Sequence, residues 1–275
     1  MKSVFGIIFL CAGAQAVFGQ TPVVAAGGVL NGASFSKGQA VAPGSLVSIF
    51  GTDLASSNAV ADTIPLSTSL GNVTVTFNGT LAPLNGVFHD PTKGDQINAQ
   101  LPWELLPAGT QSGSAQVVVN RNGVISPAAS VQLAAVTPGI FSVQFGVGQA
   151  IAINNDGTLA APAGSIPGLT TRPAKINDPT GVIVLATGLG PVDPPVKTGN
   201  NASDGQLHKT LTMPVVMVGG VQAQVLFSGL TPQFVGVNQV NIVIASGTPT
   251  GNAVPLQIQM GGITTTDQVT IAVTN

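Results

Sequence analysis

The sequence predicts an all-β protein built from two tandem β-sandwiches, and three observations predict it. One residue in five is Gly or Pro, and Glu occurs once, at Glu104, a composition that starves long helices of the residues that favour them. Apolar side chains alternate with period two in short β-branched runs. Those runs are bounded by turn dipeptides at the spacing of strands in a sandwich or barrel. Apolar residues make up 44% of the 275, enough for a core. Charged residues make up only 7%, and the formal charge of −2 offers no electrostatic footprint for nucleic acid or an anionic membrane.

Taken in chain order, residues 1–19 read as a secretory signal. Lys2 precedes an apolar run over 4–14, and small residues follow as Ala14-Gln15-Ala16 or Val17-Phe18-Gly19, so cleavage is expected after 16 or 19. The run is shorter than the ~20 residues a spanning helix needs. Cys11, the sole cysteine, falls inside this segment, and Leu10 before it does not fit a lipid-attachment site. Removal of Lys2 takes the formal charge to −3. The mature chain is therefore expected to have no membrane span, disulfide, thiolate metal site or Cys nucleophile.

From Val23 the strands follow: Leu46-Val47-Ser48-Ile49-Phe50, Val73-Thr74-Val75-Thr76-Phe77, Val117-Val118-Val119 and Val131-Gln132-Leu133. Asn78-Gly79 and Asn122-Gly123 are hairpin signals, because a type I′ turn needs positive φ at both central residues. The second half repeats the first in four blocks. Val47–Leu54 matches Val182–Leu189, Val75–Ala82 matches Val216–Ala223, Gln96–Leu101 matches Gln239–Ile244, and Val131–Leu133 matches Val269–Ile271. Four blocks in the same order read as an internal duplication. Each unit has the length of an immunoglobulin-like sandwich. The expected domains are 20–135 and 179–275, with 136–178 as a linker carrying a hairpin near Asn154-Asn155-Asp156-Gly157 and a Pro/Gly-rich stretch. A transmembrane barrel would require strands of about 9–11 residues and aromatic girdles, which a chain with one Trp and no Tyr does not supply.

Several strings carry a resemblance. In the first half they are Asn31-Gly32-Ala33-Ser34-Phe35, Val41-Ala42-Pro43-Gly44-Ser45, Gln96-Ile97-Asn98, Leu101-Pro102-Trp103-Glu104 and Pro138-Gly139-Ile140-Phe141. In the second they are Ala186-Thr187-Gly188-Leu189-Gly190-Pro191-Val192 and Gly229-Leu230-Thr231-Pro232-Gln233-Phe234-Val235-Gly236. Together they resemble the Solibacter-type uncharacterised C-terminal domain family of exported acidobacterial proteins. Each half is also similar to the IPT/TIG branch of immunoglobulin-like domains. The resemblance implies a fold and an export route, and it brings no catalytic or ligand residues.

Candidate chemistry is sparse. The two histidines, His89 and His208, lie in non-equivalent loops and are expected to be solvated; no G-x-S-x-G elbow or H-E-x-x-H accompanies them. The chain is read as not an enzyme. His89, Asp90 and Asp95, with Glu104 nearby, offer hard oxygen ligands of the kind Ca²⁺ takes. The EF-hand spacing is absent and Lys93 interrupts the cluster, so a polar turn is expected, with no metal and no cofactor. Gly188-Leu189-Gly190 lacks the following helix of a dinucleotide site. Trp103 is the residue most worth following, either as a binding anchor or as a plug in the core or inter-domain seam.

The functional expectation is an exported, non-catalytic interaction or structural module at the cell surface, in the extracellular space or in the periplasm. Its partner would be a protein or polysaccharide of the envelope or extracellular matrix. The alternatives are a carbohydrate-binding accessory protein, which would want an exposed aromatic strip, and a hydrolase lacking recognisable motifs. Loops 55–70 and 196–211 fall at equivalent places in the two units and are the expected contact regions.

Overall fold

In the computed structural model, residues 20–266 and 268–275 are described; the expected signal segment lies outside them. The described residues are all-β, with one 3-10 turn at Trp103–Leu105 and no helix long and apolar enough to cross a membrane. Two apolar cores form, one from Val24 to Leu133 and one from Ile140 to Val273.

Around the first core, one sheet runs in the order Val23–Asn31, Leu46–Thr52, Asp95–Gln100, Leu84–Phe88, Ala59–Val60. A second sheet runs Ala129–Ala134, Ser112–Arg121, Val73–Phe77, Thr80–Leu81. The register places Ile49 opposite Ile97 and Val75 opposite Val119. Period-two alternation sends Val73, Val75 and Phe77 inward, while Thr74 and Thr76 are only partly covered. Each fully buried Val, Leu, Ile or Phe contributes about 1.5–3 kcal/mol of transfer free energy. The two Asn-Gly turns have the required geometry, with φ of 49° and 81° at Asn78 and Gly79 and 53° and 86° at Asn122 and Gly123.

Corresponding pairings recur around the second core. Val182–Thr187 pairs with Asn238–Val243, and Val215–Val218 pairs with Gly251–Met260, which pairs with Gln268–Thr274. One difference is instructive. In the first half, Ala82-Pro83 separates Thr80–Leu81 from Leu84–Phe88, and the two sheets part there. In the second, Val221–Leu230 is continuous and pairs with both Val215–Val218 and Asn238–Val243, joining the layers.

Segment 136–178 pairs with strands of the second half. Gly139–Ile140 and Ala152–Asn154 pair with Val182–Thr187, and Val147–Gln149 and Ala174–Lys175 run parallel to Gln268–Thr274. The physical reason is edge capping: these short strands satisfy backbone groups that the strands of the second half would otherwise expose.

Candidate inter-unit cleft

Trp103 is placed by its chain neighbours. After the strand Asp95–Gln100, Leu101 is fully buried and exchanges backbone hydrogen bonds with the 43–46 turn, Gly44 N donating to Leu101 O (2.7 Å) and Leu101 N to Ser45 O (2.8 Å). Pro102 then starts the 3-10 turn that carries Trp103. The benzo edge of the indole lies directly over Gly44, whose φ is +79° and where a Cβ would overlap the ring.

The second unit reaches across to the same place. Trp103 N donates to Thr198 Oγ1 (3.1 Å), and that hydroxyl donates to Glu104 Oε2 (2.8 Å). Gly199 N donates to Gln100 Oε1 (2.6 Å), while Leu66 N donates to Gly199 O (2.8 Å). Trp103 also packs with Val192, Val196, Ala202 and Leu230 in a small cluster of its own. Loops 55–70 and 196–211, the expected contact regions, therefore touch each other. Further along the seam, Leu46 N donates to Thr187 Oγ1 (3.0 Å), which donates to Gly236 O (2.6 Å), and Asn31 Nδ2 donates to Thr137 O (2.8 Å).

Beside Trp103 the two units leave a cleft of about 390 Å³, within the size range of ligand pockets, which favour domain interfaces. Trp103, Leu106, Pro107, Val136, Leu189, Pro191, Leu211 and Met260 line it, with Thr110, Gln111 and Thr212 as its polar groups and no charged side chain. Leu211 forms a lip that is 65% exposed. Trp103 Nε1 is buried in the seam and finds no acceptor among the described residues, which costs free energy.

The remaining sequence candidates are brought together but used internally. Asp95 is 2% exposed. Its Oδ2 accepts from Ala55 N (3.0 Å), and its Oδ1 accepts from Asp90 N (3.2 Å) and contacts His89 Nδ1 (2.8 Å). Asp90 turns the other way, its Oδ1 accepting from Thr92 Oγ1, Thr92 N and Lys93 N. Those bonds, the Thr92 hydroxyl first, hold the Asp90 carboxyl at about 2. No group of three His, Cys, Asp or Glu suited to a metal occurs among the described residues. Asp95→Ala leaves the buried Ala55 amide unpaired, so a loss of about 1–3 kcal/mol is expected in urea denaturation. A loss below about 0.5 kcal/mol would mean that the carboxylate does not brace this turn.

Two arrangements escaped the sequence. His208 is not solvated but 2% exposed, with Nδ1 2.6 Å from Pro194 O and Nε2 2.8 Å from Asp204 Oδ1. The Asp204-x-x-x-His208 spacing was its one readable signal. Aromatic residues also gather on the surface: Phe145 is 71% exposed and stands edge-on to Phe35 at 5.3 Å, with Phe50 6.2 Å from Phe35. Phe35 and Phe145 both have positive φ, 52° and 54°, an unusual backbone state for bulky side chains.

No family model and no curated protein matches this chain. Among solved structures it is distantly similar to the SGBP-B protein of the Bacteroides ovatus mixed-linkage glucan utilization locus, determined with a mixed-linkage heptasaccharide. The two share 13% identity and a TM-score of 0.32 over 85% of this chain and 43% of that one. The tandem Ig repeats of Dlar are similar at 11% identity and a TM-score of 0.20, over 93% and 95% of the two chains. The N-terminal part of the bacterial S-layer protein SbsC gives 13% and 0.22, over 93% and 45%. The chain spans less than half the length of the first of these.

Proposed function

We propose that this chain is an exported, non-catalytic binding module that takes an uncharged ligand in the inter-unit cleft at Trp103. The carrying observation is the cleft's chemistry: the indole of Trp103 stands in an apolar wall that holds hydroxyl and amide groups but no charge. Such a wall suits a neutral molecule that presents an apolar face together with a hydrogen-bond acceptor. Export rests on the signal pattern of residues 1–19, and a role at the cell surface, in the extracellular space or in the periplasm follows from it. The recurrence of strand pairings alongside the four sequence blocks supports an internal duplication of an immunoglobulin-like, IPT/TIG-like unit. A duplicated pair of sandwiches creates a cleft that one unit could not.

A neutral polysaccharide is the second reading, favoured by Trp103 because a pyranose ring offers both an apolar face and acceptor hydroxyls. Co-sedimentation of residues 20–275 with cell envelopes and with insoluble polysaccharides tests both readings. Saturable binding is expected to one of them, weakened at least about tenfold by Trp103→Ala, the loss of roughly 1.4 kcal/mol that a central aromatic contact supplies. Binding unchanged in the Trp103→Ala protein would remove the cleft from the account. Binding to polysaccharide rather than to envelopes would select the second reading.

A further inference from the structure

His208 sits on the strap that ties the second unit to the first. Residues 194–208 leave the second unit after Val192–Asp193, place Thr198 and Gly199 against Trp103, Gln100 and Leu66, and return to pair as Lys209–Thr210. The imidazole closes this strap at its base. Its two nitrogens meet a carbonyl oxygen of Pro194 and a carboxylate oxygen of Asp204, both of which only accept. A neutral imidazole has one donor and one acceptor nitrogen, so it can satisfy one of these contacts and repels the other. Both bonds require the doubly protonated ring.

We propose that protonated His208 is a pH-sensitive latch that holds the 194–208 strap against the first unit, and that its deprotonation frees the strap and loosens the wall of the inter-unit cleft. The position of the residue gives it this reach. Leu211 and Thr212, which line the cleft, come three and four residues after it, beyond the strand Lys209–Thr210, and its own carbonyl accepts from Leu230 N (2.9 Å). Asp204 is the charge that faces the ring. Asp193 and Lys209 lie opposite each other on the flanking strands. The packed strand Val221–Leu230 contributes no titratable side chain. Lys197 and Asp204 are the titratable side chains within the strap, and Glu104 meets it from the first unit through Thr198.

The direction of the dependence is fixed. Burial disfavours charge on His208, but the Pro194 carbonyl and the Asp204 carboxylate outweigh it and raise the ring's pKa above its ordinary 6.5. The latch is therefore fully closed below about 6.5 and is lost as pH rises through the elevated value. Asp204 is lowered, first by its bond from His208 and then by the Gln206 amide. Its share is present above 3.8 and lost as pH falls through the lowered value. The strap is tightest between the two.

Histidine NMR titration combined with amide exchange at Gly199, between about pH 5 and 9, tests the latch without any ligand. The His208 resonance is expected to titrate with a midpoint above about 6.5. Gly199 protection, corrected for the intrinsic pH dependence of exchange, should fall at least about tenfold with the same midpoint. Asp204→Asn should lower that midpoint, and His208→Gln should abolish the pH dependence at Gly199. A His208 midpoint at or below the ordinary value would overturn the proposal, as would Gly199 protection that stays flat through the titration. Both readouts are made on the unmodified protein, so the test stands even if His208→Gln does not fold.

Discussion

Gly44→Ala is expected to lower stability by about 2–5 kcal/mol, from backbone strain of about 1–2 and overpacking of about 1–3. The two costs are independent. Gly44 has φ of +79°, where an L side chain is strained whatever space is available. Its added methyl would also overlap the Trp103 ring. The ring cannot simply retreat, because Trp103 N is tied to Thr198 and the chain before it to the 43–46 turn. The substitution should therefore drive the indole out of the seam and shift its emission to the red. Trp103 is the sole tryptophan, so intrinsic fluorescence reports it without ambiguity. A Gly44→Ala protein with unchanged emission and melting temperature would show that the ring does not lie over this glycine in solution.

Phe77→Ala should be as damaging, for a different reason. Phe77 is fully buried and is among the largest fully buried side chains of the first core. Deleting an aromatic ring from such a site removes its transfer free energy and leaves a cavity, together about 3–5 kcal/mol. That approaches the whole stability of a typical domain. The second core has its own strands and side chains. Guanidinium unfolding should therefore split, with the first unit and the Trp103 signal lost at lower denaturant than the remaining β-structure seen by far-UV circular dichroism. A loss below about 1 kcal/mol would be incompatible with a close-packed first sandwich.

Much of this arrangement is legible in the sequence, and the reasons are local. Asn78-Gly79 and Asn122-Gly123 could be read as tight turns because few residue pairs accept positive φ twice. The alternation in Val73–Phe77 gave its buried face directly, since side chains on a strand have a period of two. The motif strings were legible as a set before their purpose was. Asn31, Gly44, Trp103, Thr187 and Gly236 from these strings all turn out to be seam residues, Gly44 making room for the Trp103 ring and Gly236 for close approach between the units.

What stayed hidden depends on three-dimensional neighbours. Nothing adjacent to His208 announces that Pro194, fourteen residues earlier, returns to face its ring. The packing of the hairpin-bearing segment 136–178 could not be read because its strands are only two or three residues long, and strands that short take their identity from the edge they cover. Phe35 and Phe145 are separated by 110 positions and come within contact where Gly146 lies close to the Ser34 carbonyl.

The docking of two sandwiches into one seam is the claim on which the cleft and the strap both stand. Amide hydrogen exchange at Leu46, Leu66 and Gly199 tests it most directly, because each of these amides donates across the seam and none donates to its own unit in the bonds described above. The account predicts protection at all three approaching that of the core strands at neutral pH or below. Exchange of these amides at the rate of free loops, with the strands still protected, would contradict it: two sandwiches would be folded, but not joined.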